Sequence, residues 1–141
     1  MENKEIYSYT IDEFKEQLTR FFFSSFCYGP SGSIELLNNG INIIYRYNDR
    51  YYEDEEDSNY IEYPFTMDNW NKFVEKIFNI NIHKWKKRYD NKVFATDCEE
   101  WTVEIEFKNH KNIIRSGYDE YPYNWEKFQN IIREYFPQME Y

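Results

Sequence analysis

Trp101-Thr102-Val103-Glu104-Ile105-Glu106-Phe107 alternates large apolar and polar residues without interruption. That period of two is the pattern of a β-strand with one buried and one wet face. Residues 108–111 then read as a turn into a second strand at 112–116. Tyr121-Pro122 leads on to Trp125, Phe128, Ile131, Ile132, Tyr135 and Phe136, spaced by threes and fours as on one face of a helix that Pro137 stops. A hairpin followed by an amphipathic helix points to an antiparallel sheet whose apolar face is covered by helices, an α+β class.

The upstream half has the same plan. Thr10 is a candidate N-cap for a short helix carrying Ile11, Phe14 and Leu18, with Asp12 and Glu13 in its first turn, where the helix dipole favours acids. Residues 21–28 read as a strand ended by Gly29-Pro30-Ser31-Gly32. Strands at 33–38 and 41–47 flank Asn39-Gly40, which suits a two-residue hairpin turn. After a short strand at 60–63, Pro64 interrupts and Thr66 caps a helix whose apolar stripe is Trp70, Phe73, Val74, Ile77 and Phe78. The predicted order is helix, three strands, short strand, helix, hairpin, helix: antiparallel hairpins or a meander, with two or three helices on one face.

The two halves also match in detail. Tyr60-Ile61-Glu62-Tyr63-Pro64 parallels Tyr118-Asp119-Glu120-Tyr121-Pro122, and Asn69-Trp70-Asn71-Lys72-Phe73 parallels Asn124-Trp125-Glu126-Lys127-Phe128. Segments of about 33–79 and 99–136 read either as a degenerate duplication or as two similar packing solutions within one 141-residue domain.

Composition narrows the function classes. The chain holds 4 Trp, 15 Tyr and 12 Phe but a single alanine, Ala95, so its core must be built largely from rings. Abundant Asn, Ile and Lys beside only 4 Gly and 4 Pro fit a low-GC coding bias, which also accounts for much of the Tyr and Phe. No apolar run approaches the ~18–20 residues of a membrane span, and the acidic start Met1-Glu2-Asn3-Lys4-Glu5 is unlike a signal peptide. The expectation is a soluble, cytoplasmic protein. Its 17 Lys and Arg against 26 Asp and Glu give a net charge of −9. All of that excess falls in residues 1–70, where 5 basic residues face 14 acidic ones.

The pattern Trp85-Lys86-Lys87-Arg88-Tyr89-Asp90-Asn91, Asp97-Cys98-Glu99-Glu100-Trp101, Gly117, Tyr121-Pro122 and Trp125 resembles a small family of uncharacterised bacterial and phage domains. Such domains join a β-meander and a helix to an Asp-Gly-x-x-Trp strand start and a Tyr-Pro-x-x-Trp helix entry. The resemblance covers about residues 60–136, with Cys98 standing where the family has glycine. It implies the fold and carries no catalytic residue.

Chemistry-bearing motifs are sparse. Cys27 and Cys98 lie far apart without ligand-spaced partners, and two reduced thiols are expected. His83 and His110 lack a nucleophile or second ligand at recognisable spacing, and His110 reads as an exposed turn residue. The four glycines form no phosphate-cradling loop. Asp97, Glu99 and Glu100 are the candidate ligands of a hard cation, in the alternative reading of a metal-dependent hydrolase. Lys84-Trp85-Lys86-Lys87-Arg88-Tyr89 interleaves cations with rings as single-strand binders do, yet a chain of this net charge is repelled by polyanions. No cofactor, metal, membrane or direct nucleic-acid partner is therefore expected.

The acidic half offers the leading reading, a non-enzymatic protein-binding module. Asp49 and Glu53-Asp54-Glu55-Glu56-Asp57, in a solvated loop at about 49–59, together with Glu62, could imitate a phosphate track. Tyr51, Tyr52 and Tyr60 would add rigid anchors. The partner would then be a protein with a basic surface, such as a nucleic-acid-binding effector. Small size, acidity and the low-GC signature match the profile of a phage or mobile-element inhibitor of the anti-CRISPR kind. A housekeeping scaffold or small-ligand domain stands as the alternative.

Overall fold

In the computed structural model, residues 8–26, 32–48, 61–91 and 99–139 are described. Thr10 caps helix α1 (Ile11–Gln17): its hydroxyl accepts the Glu13 amide at 3.1 Å, and the Glu13 carboxylate accepts the Thr10 amide at 2.9 Å. This reciprocal box satisfies two amides that the first turn would otherwise leave open. The helix passes directly into strand β1 (Leu18–Phe26), three residues earlier than the ring-rich run suggests. A register shift between Leu18 and Arg20 lets both Leu18 and Phe21 face the core, after which Phe23 and Ser25 continue the inward set.

Strands β2 (Gly32–Asn38) and β3 (Ile43–Asn48) form the expected hairpin, but its connection is four residues long, not two. The cause lies in the side chains of the turn. Asn38 Oδ1 accepts the Gly40 amide at 2.9 Å, and Asn39 Oδ1 accepts the amides of Ile41 and Asn42, each at 2.8 Å. These local bonds replace the ladder, and Gly40 supplies a φ of +90°. Ile41, read from sequence as a strand residue, is consequently 87% exposed in the loop.

Strand β4 (Ile61–Pro64) pairs with β3 at the sheet edge, where a proline is tolerated because its missing N–H would have faced away from the ladder. Thr66 accepts the Asn69 amide and starts helix α2 (Met67–Asn79). Asn81, in the left-handed region at φ 59°, reverses the chain into a 3₁₀ turn at Ile82–Lys84. The sequence order gave no strand to Arg88–Asp90, yet these residues form β5, paired in parallel with β7. Strands β6 (Glu100–Phe107) and β7 (Ile113–Tyr118), helix α3 (Trp125–Tyr135) and a 3₁₀ turn (Pro137–Met139) complete the described chain.

The sheet runs β4-β3-β2-β1-β6-β7-β5, antiparallel except for its last pair. β1 therefore joins the two hairpin systems, pairing locally with β2 and across the chain with β6. The three helices cover one face only. Phe14 of α1 packs edge-on to Phe107, Phe73 of α2 edge-on to Phe21, and Phe128 of α3 edge-on to Phe23. This is the α+β arrangement expected from the period-two strands. Trp70 and Trp125 are both buried, at 1% and 7% exposure, and Trp125 joins Trp85 and Trp101 in one aromatic cluster. No helix among the described residues is long and apolar enough to cross a membrane.

Candidate functional site

The opposite face of the sheet carries a row of charges. Register places Arg46 of β3 opposite both Glu35 of β2 and Glu62 of β4, and Arg20 of β1 opposite Glu106 of β6. Arg46 Nε donates to Glu62 Oε2 at 2.9 Å, and its second nitrogen lies 3.5 Å from Glu35. Arg20 Nε donates to Glu35 at 2.5 Å, while its Nη1 donates to Glu104 at 3.1 Å and to Glu106 at 3.0 Å. Burial opposes the charge on Arg20, but hydrogen bonds to Glu35 and Glu104 outweigh it and hold the guanidinium above its ordinary value. The result is a continuous chain of ion pairs across five strands in which four carboxylates share two guanidinium groups. Such partly exposed pairs contribute only ~0–1 kcal/mol each to folding.

Apolar side chains border the row. Arg20 lies 5.0 Å above the Phe22 ring, and Leu37 and Ile44 line a shallow groove of about 450 Å³ next to the β2–β3 loop. The face thus combines excess negative charge with half-buried apolar side chains.

Of the sequence-predicted partner residues, Glu62 takes its place in this row on the edge strand. Asp49, Tyr51, Tyr52, Glu53, Asp54, Glu55, Glu56, Asp57 and Tyr60 lie outside the described residues. The segment connects Asn48 at the end of β3 to Ile61 at the start of β4, so both of its attachment points belong to the paired β3 and β4 strands that carry Arg46 and Glu62.

The candidate cation ligands do not converge. Glu99 accepts from the Ser25 hydroxyl at 2.5 Å and from the Tyr121 hydroxyl at 2.9 Å on the helix-covered side. Glu100 is exposed on the opposite side, in register with Phe26 and Tyr118, and Asp97 lies outside the described residues. Among the described residues no three His, Cys, Asp or Glu side chains are grouped as a metal site would require.

The basic cluster divides along its length. Trp85 is 5% exposed and donates its indole N–H to Asn124 Oδ1 at 3.0 Å, so it belongs to the core and not to a stacking surface. Arg88 pairs with Asp90 and Ser116, while Lys86 lies 5.1 Å from the centre of the Tyr89 ring. Lys84 and Lys87 face a cleft on the helix side of the molecule.

His110 is not the exposed turn residue its position suggests. Its ring stacks on Tyr9 at 4.1 Å with its side chain 14% exposed. Its Nδ1 accepts the Lys111 amide, so Nε2 carries the proton and donates to the Ser8 carbonyl at 3.2 Å. The adjoining N-terminal segment gave no periodic signal from which this packing could be read.

No protein-family model matches the chain, and neither a curated protein nor a solved structure shows significant similarity to it.

Proposed function

We propose that this chain is a non-enzymatic binding module that presents the open face of its sheet, with the acidic segment attached at the same edge, to a protein partner with a basic surface. The observation that carries the reading is the row Glu62-Arg46-Glu35-Arg20-Glu104/Glu106, whose carboxylates outnumber its guanidinium groups two to one on a face that no described helix covers. Residues 49–57, which follow Asn48 of β3 directly in the sequence, carry six further acids. Long-range attraction of this kind raises the association rate and selects a basic partner, while Phe22, Leu37 and Ile44 provide area to desolvate. A groove that normally holds nucleic acid is the basic surface best matched to such a track. Occupying it would make the chain an inhibitor of a nucleic-acid-binding protein.

The test is a pull-down from host lysate with wild-type protein and two variants. One replaces Glu53, Asp54, Glu55 and Glu56 by their amides, and the other replaces Glu62 and Glu104 by Gln. A partner retained by wild type, lost by both variants and displaced by a soluble polyanion supports the reading. Equal recovery of the same partner by all three proteins removes the acidic face and segment as the determinant.

A further inference from the structure

On the helix side, the approach to α1, the turn after α2 and the edge of β7 enclose an open cleft of about 950 Å³. Strand β5 pairs only with Ser116–Tyr118, and the Ser116 amide donates to the Lys87 carbonyl at 3.1 Å. Among the described residues no strand pairs with the preceding part of β7 on that side. With a period of two along the strand, the Ile114 backbone groups point the same way as those of Ser116, into the cleft.

The lining is of one charge sign. Lys84, Lys87, Lys111 and Arg115 border the cleft, and no Asp or Glu among the described residues does so. Among the described residues no carboxylate lies within ion-pair distance of Lys84 or Lys87. Arg115 is half-buried, yet its Nη2 donates to the His83 carbonyl and its Nη1 to the Ile114 carbonyl, each at 3.0 Å, while its Nε has no partner. Burial lowers its affinity for a proton. Burial, then Lys84 and Arg115, lower that of His83 as well. Among the described residues this half-buried guanidinium is held by neutral carbonyls and by no anion of the kind that ordinarily offsets its desolvation. In a molecule of charge −9, a cleft whose described lining holds no carboxylate is a local reversal of sign.

Rings form the other wall. His83 stacks on Phe78 at 5.0 Å and 12° between planes, and Tyr9 stands 5.7 Å from His83. The size lies within the ~300–1,000 Å³ of small-molecule sites, and the pairing of an aromatic wall with a few cations suits a ligand with a planar ring and an anionic group.

We propose that this cleft binds a small organic phosphate of the nucleoside-phosphate class, with the phosphates among Lys84, Lys87 and Arg115 and the base against Tyr9 and Phe78. A free nucleotide fits better than a nucleic-acid strand. The cations are confined to one cleft, and beyond a Debye length of ~8 Å a long polyanion would meet the acidic remainder of the surface. This site is separate from the acidic face, and either assignment can fail without the other.

Calorimetry and amide NMR with ADP, inorganic phosphate and an oligothymidylate, at low and physiological salt, test it on wild type, on the Lys84→Glu/Lys87→Glu double variant and on Glu62→Gln. Saturable ADP binding is expected, with amide shifts around Ile114 and Lys84 and an upward move of the His83 titration midpoint in the complex. The double variant, whose exposed positions leave melting unchanged, should lose roughly tenfold or more in affinity, the scale of a lost charge-assisted contact. Glu62→Gln should bind ADP as wild type does. The proposal is overturned by absence of saturable ADP binding, by undiminished affinity in the double variant, by inorganic phosphate binding as well as ADP, or by the oligothymidylate binding more tightly than ADP.

Discussion

Two residues near α3 hold their positions for reasons of close approach. Gly117 lies under the Trp101 indole: a Cβ built there would come 2.4 Å from Trp101 Nε1 and 2.6 Å from the Glu120 carbonyl, the two groups that hydrogen-bond to each other at 3.0 Å. Gly117→Ala must therefore displace the indole from the core, at a cost of ~1–3 kcal/mol visible as a lower urea midpoint with unchanged slope. Asn124 precedes α3 but makes no side-chain cap. It is buried, accepts from Trp85 Nε1 and donates to the Ile80 carbonyl at 2.6 Å, tying the end of α2, the Trp85 segment and α3 together. Asn124→Ala leaves two buried groups unpaired and should cost ~2–6 kcal/mol, at ~1–3 for each. Both residues belong to motifs conspicuous in the sequence, yet the spacing that singles out Gly117 and Asn124 is silent on the indoles they serve.

His83 supplies a residue-scale dependence on pH. Its imidazole is held below its ordinary 6.5 by burial first, then by Lys84 and Arg115. In the unfolded chain the ring protonates near its ordinary value, so as pH falls through it the unfolded state takes up a proton that the folded state refuses. Stability contributed by the neutral ring is full above that value and is lost as pH drops below it. Chemical denaturation of wild type and His83→Phe, on either side of pH 6.5, checks the sign. The variant keeps a ring on Phe78 and should lose less stability on acidification. An equal loss in both proteins would assign the effect to other groups.

At the scale of elements, the helices and hairpins were legible because their signals are local. A strand such as Glu100–Phe107 or a helix such as Met67–Asn79 shows its buried face within its own residues. The β5 strand and the central place of β1 were not, since three residues carry no measurable period and β1–β6 pairing joins segments some eighty residues apart in the chain. The loop at 39–42 shows a third limit: Asn-Gly signals a turn, and only the flanking Asn side-chain bonds decide its length. The equivalent positions of Trp70 and Trp125 yield an element-scale prediction. Both rings are buried, Trp125 against Phe23 and Trp101 of the sheet, so Trp70→Ala and Trp125→Ala should each cost about 3–5 kcal/mol in chemical denaturation. A near-neutral result at either position would mean that its ring does not anchor the helix to the sheet.

For the whole molecule, folding divides a basic run that is contiguous in the sequence. The Lys84–Tyr89 run looked like one basic strip. Folding sends Trp85 inward, commits Arg88 to Asp90 and turns Lys84 and Lys87 toward a cleft whose other walls come from residues 8–9 and 111–115. A site assembled from such separated segments leaves no contiguous motif. The acidic side, by contrast, was partly visible, because Glu104 and Glu106 already read as wet-face positions of their strand and Glu62 as part of the acidic track.

The acidic segment at 49–59 carries the prediction that belongs to this scale. With a net charge of −9, the folded molecule repels itself more than the expanded chain does. Changing Glu53, Asp54, Glu55 and Glu56 to their amides removes four adjacent like charges, so the melting temperature should stay the same or rise slightly. Added salt should raise the wild-type value more than the variant's. Association with a basic partner should respond in the opposite sense: slower on-rate for the amide variant at low salt, converging with wild type as salt shortens the screening length below ~8 Å. Stopped-flow association and calorimetric melting on the same pair of proteins read both quantities. A variant that melts lower would show that the segment is held by ion pairs to the fold. If its on-rate is also unchanged at low salt, the charges on the loop do not steer the partner, and the binding determinant must lie on the sheet face around Glu62, Arg46 and Phe22.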